Sequence, residues 1–389
     1  MTLDQTLSSR RAVDWYELFF DLVFVVVIAI SAHNLEHSPS LISVVLFALL
    51  LFPLWWAWVN LMLTNNLYGQ NYPAFGALMI AAMPGPAAMA IAISGGIESN
   101  GWLYALGAVW IRLVLLVMWL VPQVKRTTSV PLWRPLAYNL GTALVWLISI
   151  PVPAPYRYTI WVLAVVAEMV LLAVRSGFAS EVYELASVSH SLERVGLFVV
   201  IVIGEAVYLA VTGLADHPTG GGAGAALAGF VVCALLARAF FRWGVPGTEA
   251  GLAAAQRARS YSALRDVIMY LPFLLIVGLT LVAASVGVAV TEAGAPLETG
   301  ARGLLAAGVA VFYLANAIVG LRLGRRLSRI VALVVPGVLL PALASWLSGG
   351  LDGWVTLALV AGSLVVLDLL SKVLGFKSAR ESAPSQVTV

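Results

Sequence analysis

The stretch Glu17-Leu-Phe-Phe-Asp21-Leu-Val-Phe-Val-Val-Val-Ile-Ala-Ile-Ser-Ala-His33 decides the fold. It has the length and apolar character of a bilayer-spanning helix, which takes about 20 residues. Yet it carries two carboxylates and an imidazole. A charge at bilayer depth costs roughly 2.5–3.5 kcal/mol on insertion scales. Three such groups in one span need partners that neutralise them, or a function that requires them.

The rest of the chain reads the same way. It is 61% hydrophobic and 11% charged over 389 residues, whereas a soluble domain carries about 25% charged residues. The expectation is an all-α, polytopic membrane helix bundle. Net charge is only +3, and the basic residues fall in short runs between apolar segments, a membrane-topology pattern that argues against nucleic acid as a partner. The single cysteine, Cys233, lies in an apolar segment, so no intrachain disulfide is possible. The Arg10-Arg11 pair superficially suggests a twin-arginine signal. It reads better as a cytoplasmic anchor, because Glu17 and Asp21 interrupt any apolar signal core.

Hydrophobic runs bounded by turns or charges give twelve expected spans: about 16–36, 41–64, 73–94, 102–121, 132–152, 157–178, 193–214, 223–243, 267–290, 302–322, 330–348 and 353–374. Alternate loops hold Glu36, Glu98, Asp216, Glu292, Glu298 and Asp352, with Arg157 and Arg302 only at the adjoining edges. The opposite ends hold Arg10 and Arg11, Lys125, Arg126 and Arg134, Arg257, Arg259 and Arg265, then Arg322, Arg325, Arg326 and Arg329, and finally Lys372, Lys377 and Arg380. The positive-inside rule then puts both termini in the cytoplasm of a bacterial inner-membrane protein. Residues 1–376 read as the membrane domain, with halves at 1–180 and 181–376, and 377–389 as a disordered cytoplasmic tail. Gly244–Leu264 reads as a cytoplasmic loop with a short basic helix lying along the anionic leaflet.

The seventh span, Glu193-Arg-Val-Gly-Leu-Phe-Val-Val-Ile-Val-Ile-Gly-Glu205, is weakly similar to the first, which suits a six-plus-six pseudo-repeat. These two segments also carry a family likeness. Glu17-Leu-Phe-Phe-Asp21-Leu-Val-Phe-Val with His33, and His190-Ser-Leu-Glu193-Arg194 leading to Gly204-Glu205, resemble the two signatures of the low temperature requirement A (LtrA) family. The likeness is poorer in the C-terminal third, where the family's Tyr-x-His pattern is replaced by Tyr261-Ser-Ala-Leu264. It implies a polytopic inner-membrane protein linked in name to growth in the cold, and no particular reaction.

Candidate site residues follow from the polar groups in the spans. Glu17 and Asp21 lie four apart and share a helix face. They read either as a proton-accepting pair or as structural glue neutralised by Arg194. His190, Glu193 and Arg194, at i, i+3 and i+4, share a face at the same membrane level, and the five form the expected site. A metal reading of His-x-x-Glu needs more such contributions than the chain offers. Arg112, Glu168 and Glu205 reach the midplane together. Arg112 pairs with one of the two acids there, or the three line a pocket for substrate or proton. His33, Glu36 and His37 read as a solvated interfacial end, with few further ligands for a metal.

Of 13 tryptophans, Trp15, Trp58, Trp102, Trp133, Trp161, Trp243, Trp346 and Trp354 suit interfacial belts. Trp55, Trp56, Trp110, Trp119 and Trp146 read as internal, where Trp110, Trp119 and Trp146 are candidate substrate-binding walls. Pro84-Gly-Pro86 breaks the third span and frees backbone groups that protein or a cavity must accept. Phosphate-loop and nucleophile-elbow motifs are absent, and no cofactor is called for. The leading expectation is proton-linked transport of a small solute or ion, with Asp21 and Glu205 changing protonation and Arg112 or Arg194 binding an anion or holding their charge. The alternatives are a membrane enzyme using buried carboxylic acids on a lipophilic substrate, such as a terpene cyclase, and a stress-related membrane protein without catalysis.

Overall fold

The computed structural model describes residues 14–37, 39–173 and 185–373. The Arg10-Arg11 anchor, the end of the sixth expected span at 174–178 and the tail 377–389 lie outside these. The described residues form α1 (Trp15–His37), α2 (Leu41–Tyr68), α3 (Ala74–Ala82), α4 (Pro84–Ser94), α5 (Ile97–Val124), α6 (Trp133–Pro135), α7 (Thr142–Ile148), α8 (Tyr156–Ala173), α9 (Val188–Asp216), α10 (Gly220–Ala239), α11 (Val245–Arg257), α12 (Tyr261–Arg265), α13 (Leu271–Thr291), α14 (Thr299–Arg322), α15 (Leu327–Leu347) and α16 (Gly353–Val373). Wider π-helical turns at Leu136–Gly141, Phe240–Gly244 and Asp266–Tyr270 link α6 to α7, α10 to α11 and α12 to α13.

Ten of these helical stretches are long and apolar enough to cross a membrane. The remaining two of the twelve expected spans fall on Trp133–Ile148, interrupted by its π turn, and on α8, and neither is among the ten. The short basic helix expected after Gly244 exists as α11, continuous with α10 through a π turn.

The first helix shows why the chain belongs in lipid. Glu17, Phe20, Asp21, Phe24, Val27 and Ile28 are buried, while Leu18, Phe19, Leu22 and Val26 are exposed. The buried positions recur at i, i+3, i+4 and i+7, the spacing of one helix face. A water-soluble helix would bury the leucines and expose the carboxylates. Here the charges point inward and the apolar side outward, the arrangement that a hydrocarbon solvent favours.

The chain resolves into two compact units. One comprises the described residues within Met1–Ser31 and Val45–Arg194; the other comprises those within Ala32–Val44 and Val195–Val389. The boundary falls inside three helices, α1 after Ser31, α2 after Val44 and α9 after Arg194, so each contributes to both units. The first unit packs around wholly buried aromatics, including Trp55, Trp56, Trp58, Trp146, Trp161 and Tyr104. Trp58 and Trp161 were expected in interfacial belts, and the structure corrects this: both turn inward, where their indole N–H groups find acceptors in Asp21 and Ser149. The second unit packs around α13, which is buried along nearly its whole length.

In each unit a helix pair is brought to backbone contact through glycine. In the first, a Cβ built on Gly107 of α5 would lie 2.5 Å from the Gly85 carbonyl oxygen of α4, and one on Gly85 would lie 2.8 Å from the Gly107 oxygen. In the second, Gly278 of α13 and Gly308 of α14 make the same reciprocal contact at 2.8 and 2.6 Å. Small residues let membrane helices approach to backbone contact, where dispersion replaces the hydrophobic drive that lipid does not supply. The Pro84-Gly-Pro86 break is accommodated beside the first pair. Met83 takes the Ile80 carbonyl, and Trp110 Nε1 donates to the Ala81 oxygen at 2.7 Å.

Gly308→Ala is expected to lower the thermal unfolding midpoint in detergent, by an amount equivalent to about 1–3 kcal/mol of overpacking. Gly204→Ala, whose Cβ would meet nothing within 4 Å, is expected to leave stability unchanged or slightly raised.

Candidate functional site

The site is built where the starts of α1 and α9 face the second half of α2, all within the first unit. Glu17 sits in the first turn of α1 and reaches back to the Asp14 N–H at 3.0 Å, half of the reciprocal bonding that starts many helices. One turn on, Asp21 occupies the same face. On α9, His190 and Arg194 are also one turn apart. The start of α9 is tied to α2 through Asn66, whose amide donates to the Ser187 carbonyl at 2.9 Å and the Ser191 hydroxyl at 2.6 Å, and accepts from the Ser187 N–H at 3.1 Å.

Arg194 is the centre of the cluster. Its Nε and Nη2 form a two-pronged fork on Asp21, at 3.0 Å to Oδ2 and 2.5 Å to Oδ1. Nη1 lies 3.2 Å from Glu17 Oε1, and Nη2 donates to the Glu17 carbonyl oxygen at 3.4 Å. Trp58 Nε1 donates to Asp21 Oδ1 at 2.7 Å, and the same indole lies under the guanidinium, 5.7 Å from its carbon to the ring centroid. Glu17 Oε1 further receives Asn65 Nδ2 at 2.5 Å and faces His190 Nε2 at 3.2 Å. Glu17, Asp21 and Arg194 are 0% exposed and His190 is 1% exposed.

Four of the five residues expected here are therefore together. The fifth, Glu193, is exposed. It precedes Arg194 by one residue, about 100° around the helix, and its side chain leaves the face that His190 and Arg194 share. Two partners were missed from sequence, Trp58 and Asn65. They lie two turns apart on one face of α2, and the signal was the polar run Asn60, Thr64, Asn65, Asn66 inside an apolar span.

A second buried pair lies in the same unit. Arg112 Nε donates to Glu168 Oε1 at 2.6 Å and Nη1 to the Ala108 carbonyl at 2.9 Å, with the guanidinium carbon 5.1 Å from the Trp146 ring centroid. Trp146 packs in turn against Tyr104 and Trp161. Of the two acids considered for Arg112, the structure selects Glu168. Trp119 stands apart from this group, edge-on to Tyr68 at 5.5 Å and lining a cavity of about 30 Å³ with Tyr138 and Arg134. That volume has room for water and little more. Trp110, expected as an internal wall, is 45% exposed: its indole covers the Pro84 break from the outside of α5, which suits lipid contact better than substrate contact.

Glu205 belongs to the second unit, where it is buried without an ion pair among the described residues and within electrostatic reach of Glu36. Glu36 in turn lies 3.6 Å from His33 Nδ1, and the His33 and His37 rings are 4.3 Å apart. The ligand atoms of His33, Glu36 and His37 fall within 4.8 Å of one another, close enough to share a metal ion.

The chain matches the family described as "Bacterial low temperature requirement A protein (LtrA)" over residues 12–367. An uncharacterized protein of Rhizobium meliloti (strain 1021) is 26% identical over 212 residues, covering 52% of this chain and 50% of that protein. The chain thus aligns with about half the length of this curated relative. No solved structure is similar to it.

Removing one member of a buried ion pair leaves an uncompensated charge at a cost of about 3–5 kcal/mol. Arg194→Gln is expected to destabilise by that order in thermal unfolding. Asp21→Asn combined with Arg194→Gln should cost clearly less than the two single changes added, whereas Glu193→Gln should fall within about 0.5 kcal/mol of the parent.

Proposed function

The chain belongs to the bacterial low temperature requirement A (LtrA) family, and for this member we propose proton-linked movement of a small solute or ion across the membrane. The observation that carries the reading is the charge count of the buried cluster. Glu17 and Asp21 bring two negative charges and Arg194 one positive charge, all sealed from solvent. Among the described residues, one further proton would complete the balance. His190 is the group placed to hold it, with Nε2 against Glu17 and Nδ1 without a hydrogen-bond partner among the described residues. In this reading the exchangeable proton sits at Nδ1 and the Nε2 contact persists.

Exchange of that proton changes the net charge of a low-dielectric site by one unit. A buried uncompensated charge is costly, so loss of the proton favours any state that brings a cation in or rearranges the cluster. A solute that binds the two protonation states unequally is thereby coupled to the proton. Arg194 holds Asp21 in place for this exchange, and Trp58 and Asn65 fix the carboxylates from α2. Glu205 is a second protonatable group in this reading, and Arg112–Glu168 braces the bundle. The topology proposed with it has twelve spans in two related halves, with both termini in the cytoplasm of a bacterial inner membrane, supported by the alternation of basic and acidic loops. The partners are membrane lipid, protons and a small solute.

In proteoliposomes subjected to a pH jump, the intact protein is expected to drive uptake of a small solute or ion. Asp21→Asn and His190→Gln should lower pH-driven uptake by about tenfold or more, the size of a typical coupling free energy, and Glu193→Gln should not. If no tested solute or ion moves while the protein converts a lipid-like precursor, the transport reading fails in favour of membrane-embedded catalysis.

A further inference from the structure

A cavity of about 520 Å³ lies in the second unit, between the α10–α11 connection, α14, the first turns of α15, and α16. Its chemistry is unlike that of the ion-paired cluster. Four arginines line it: Arg242, Arg325, Arg326 and Arg329. The one carboxylate in its wall, Asp368, is already shared by two other cations, Arg238 Nε at 2.8 Å and Lys372 Nζ at 3.0 Å. Among the described residues Arg325, Arg326 and Arg329 form no ion pair. Among the described residues these three guanidinium groups thus leave the cavity positive.

The local fold holds these charges at the cavity. Gly324, at φ 73°, makes the turn from α14 into α15, a conformation open to glycine. Arg325 follows, and its guanidinium fills the space that a side chain at Gly247 would take: a Cβ built there would lie 2.9 Å from Arg325 Cζ and closer still to Nη2. The surrounding helices lower the Arg325 pKa by desolvation, as befits a cation lacking a counter-charge. Arg326 is the N-cap of the 21-residue α15 and no side chain caps it, so the positive end of that helix opens at the same place. Away from the arginines the wall is apolar, formed by Leu333, Val334, Leu364 and Leu367.

We propose that this cavity binds the phosphoryl head group of an anionic phospholipid, with the arginines on the phosphate and the acyl chain along the apolar wall. Guanidinium groups suit phosphate oxygens through paired, charge-assisted hydrogen bonds. Basic pockets between membrane helices are places where anionic head groups are held. The apolar wall distinguishes a lipid from free phosphate, which has no use for Leu333 or Leu364. The basic run also lies at the end of the bundle that the loop charges assign to the cytoplasm. The proposal concerns the second unit alone and stands whether or not the buried cluster moves protons.

The test is a titration of the full chain in neutral detergent at physiological salt. The probes are phosphatidylglycerol, phosphatidylcholine and inorganic phosphate, each read by the concentration giving a half-maximal rise in the thermal unfolding midpoint. Phosphatidylglycerol is expected to stabilise saturably and the other two are not. Each arginine near an anionic head group contributes about fivefold in affinity, so Arg325→Gln with Arg329→Gln should raise the half-maximal concentration about 25-fold. Gly247→Ala, which displaces the Arg325 guanidinium without changing charge, should raise it several-fold. Arg257→Gln with Lys125→Gln, removing equal charge from two residues that do not line the cavity, should change it by less than about twofold. Equal stabilisation by inorganic phosphate would overturn the lipid assignment. Equal losses in the cavity and control variants would reduce the effect to general surface attraction. No loss in either cavity variant would overturn the site itself.

Discussion

Everything around the first signature depends on the Arg194 fork. One guanidinium, wholly buried, holds both oxygens of Asp21 and touches Glu17. Without it, two carboxylates would stand one helical turn apart in a medium that solvates neither. With it, the starts of α1 and α9 are locked in register, and Trp58 and Asn65 bring α2 into the same network. Among the described residues the fork leaves one negative charge over, and the proton-linked reading rests on this remainder. The Arg112–Glu168 pair makes the contrast, because there one cation meets one anion and the count closes.

The two buried ion groups and the arginine cavity follow one rule with different outcomes. Where protein supplies both signs in equal number, a pair braces helices. Where acids exceed bases by one, the proposed reading has a proton complete the balance. Where bases exceed acids, as around Arg325, Arg326 and Arg329, the proposed balancing anion is a lipid head group. Aromatic groups accompany the charges in the first unit, with Trp58 under Arg194 and Trp146 under Arg112. A flat, weakly hydrated guanidinium suits that face-on contact.

Much of this was legible in the sequence. Composition and run length gave the membrane class, and the helix period alone placed Glu17 with Asp21 and His190 with Arg194. Family membership was readable from the same two segments. Periodicity also misled, since it grouped Glu193 with His190 although Arg194 takes the inward direction between them. Burial of Trp58 was hidden because tryptophan serves equally at an interface and as an indole donor in a core, and only the position of Asp21 decides between them. The selection of Glu168 by Arg112 needed three-dimensional contacts that no spacing encodes. The arginine cavity was visible as a basic loop, but its depth depends on Gly247 and Gly324, whose roles emerge only from the fold.

The proton itself is the most direct thing to measure. Nitrogen-15 NMR of selectively labelled histidine, with His190 assigned by its loss in His190→Gln, reports which ring nitrogens carry protons in the reconstituted protein through a pH cycle. The expected result is that Nδ1 of His190 gains and loses a proton through the cycle while Nε2 keeps its bond to Glu17. A single unchanging protonation state throughout would contradict an exchangeable proton and leave the cluster as a structural clamp.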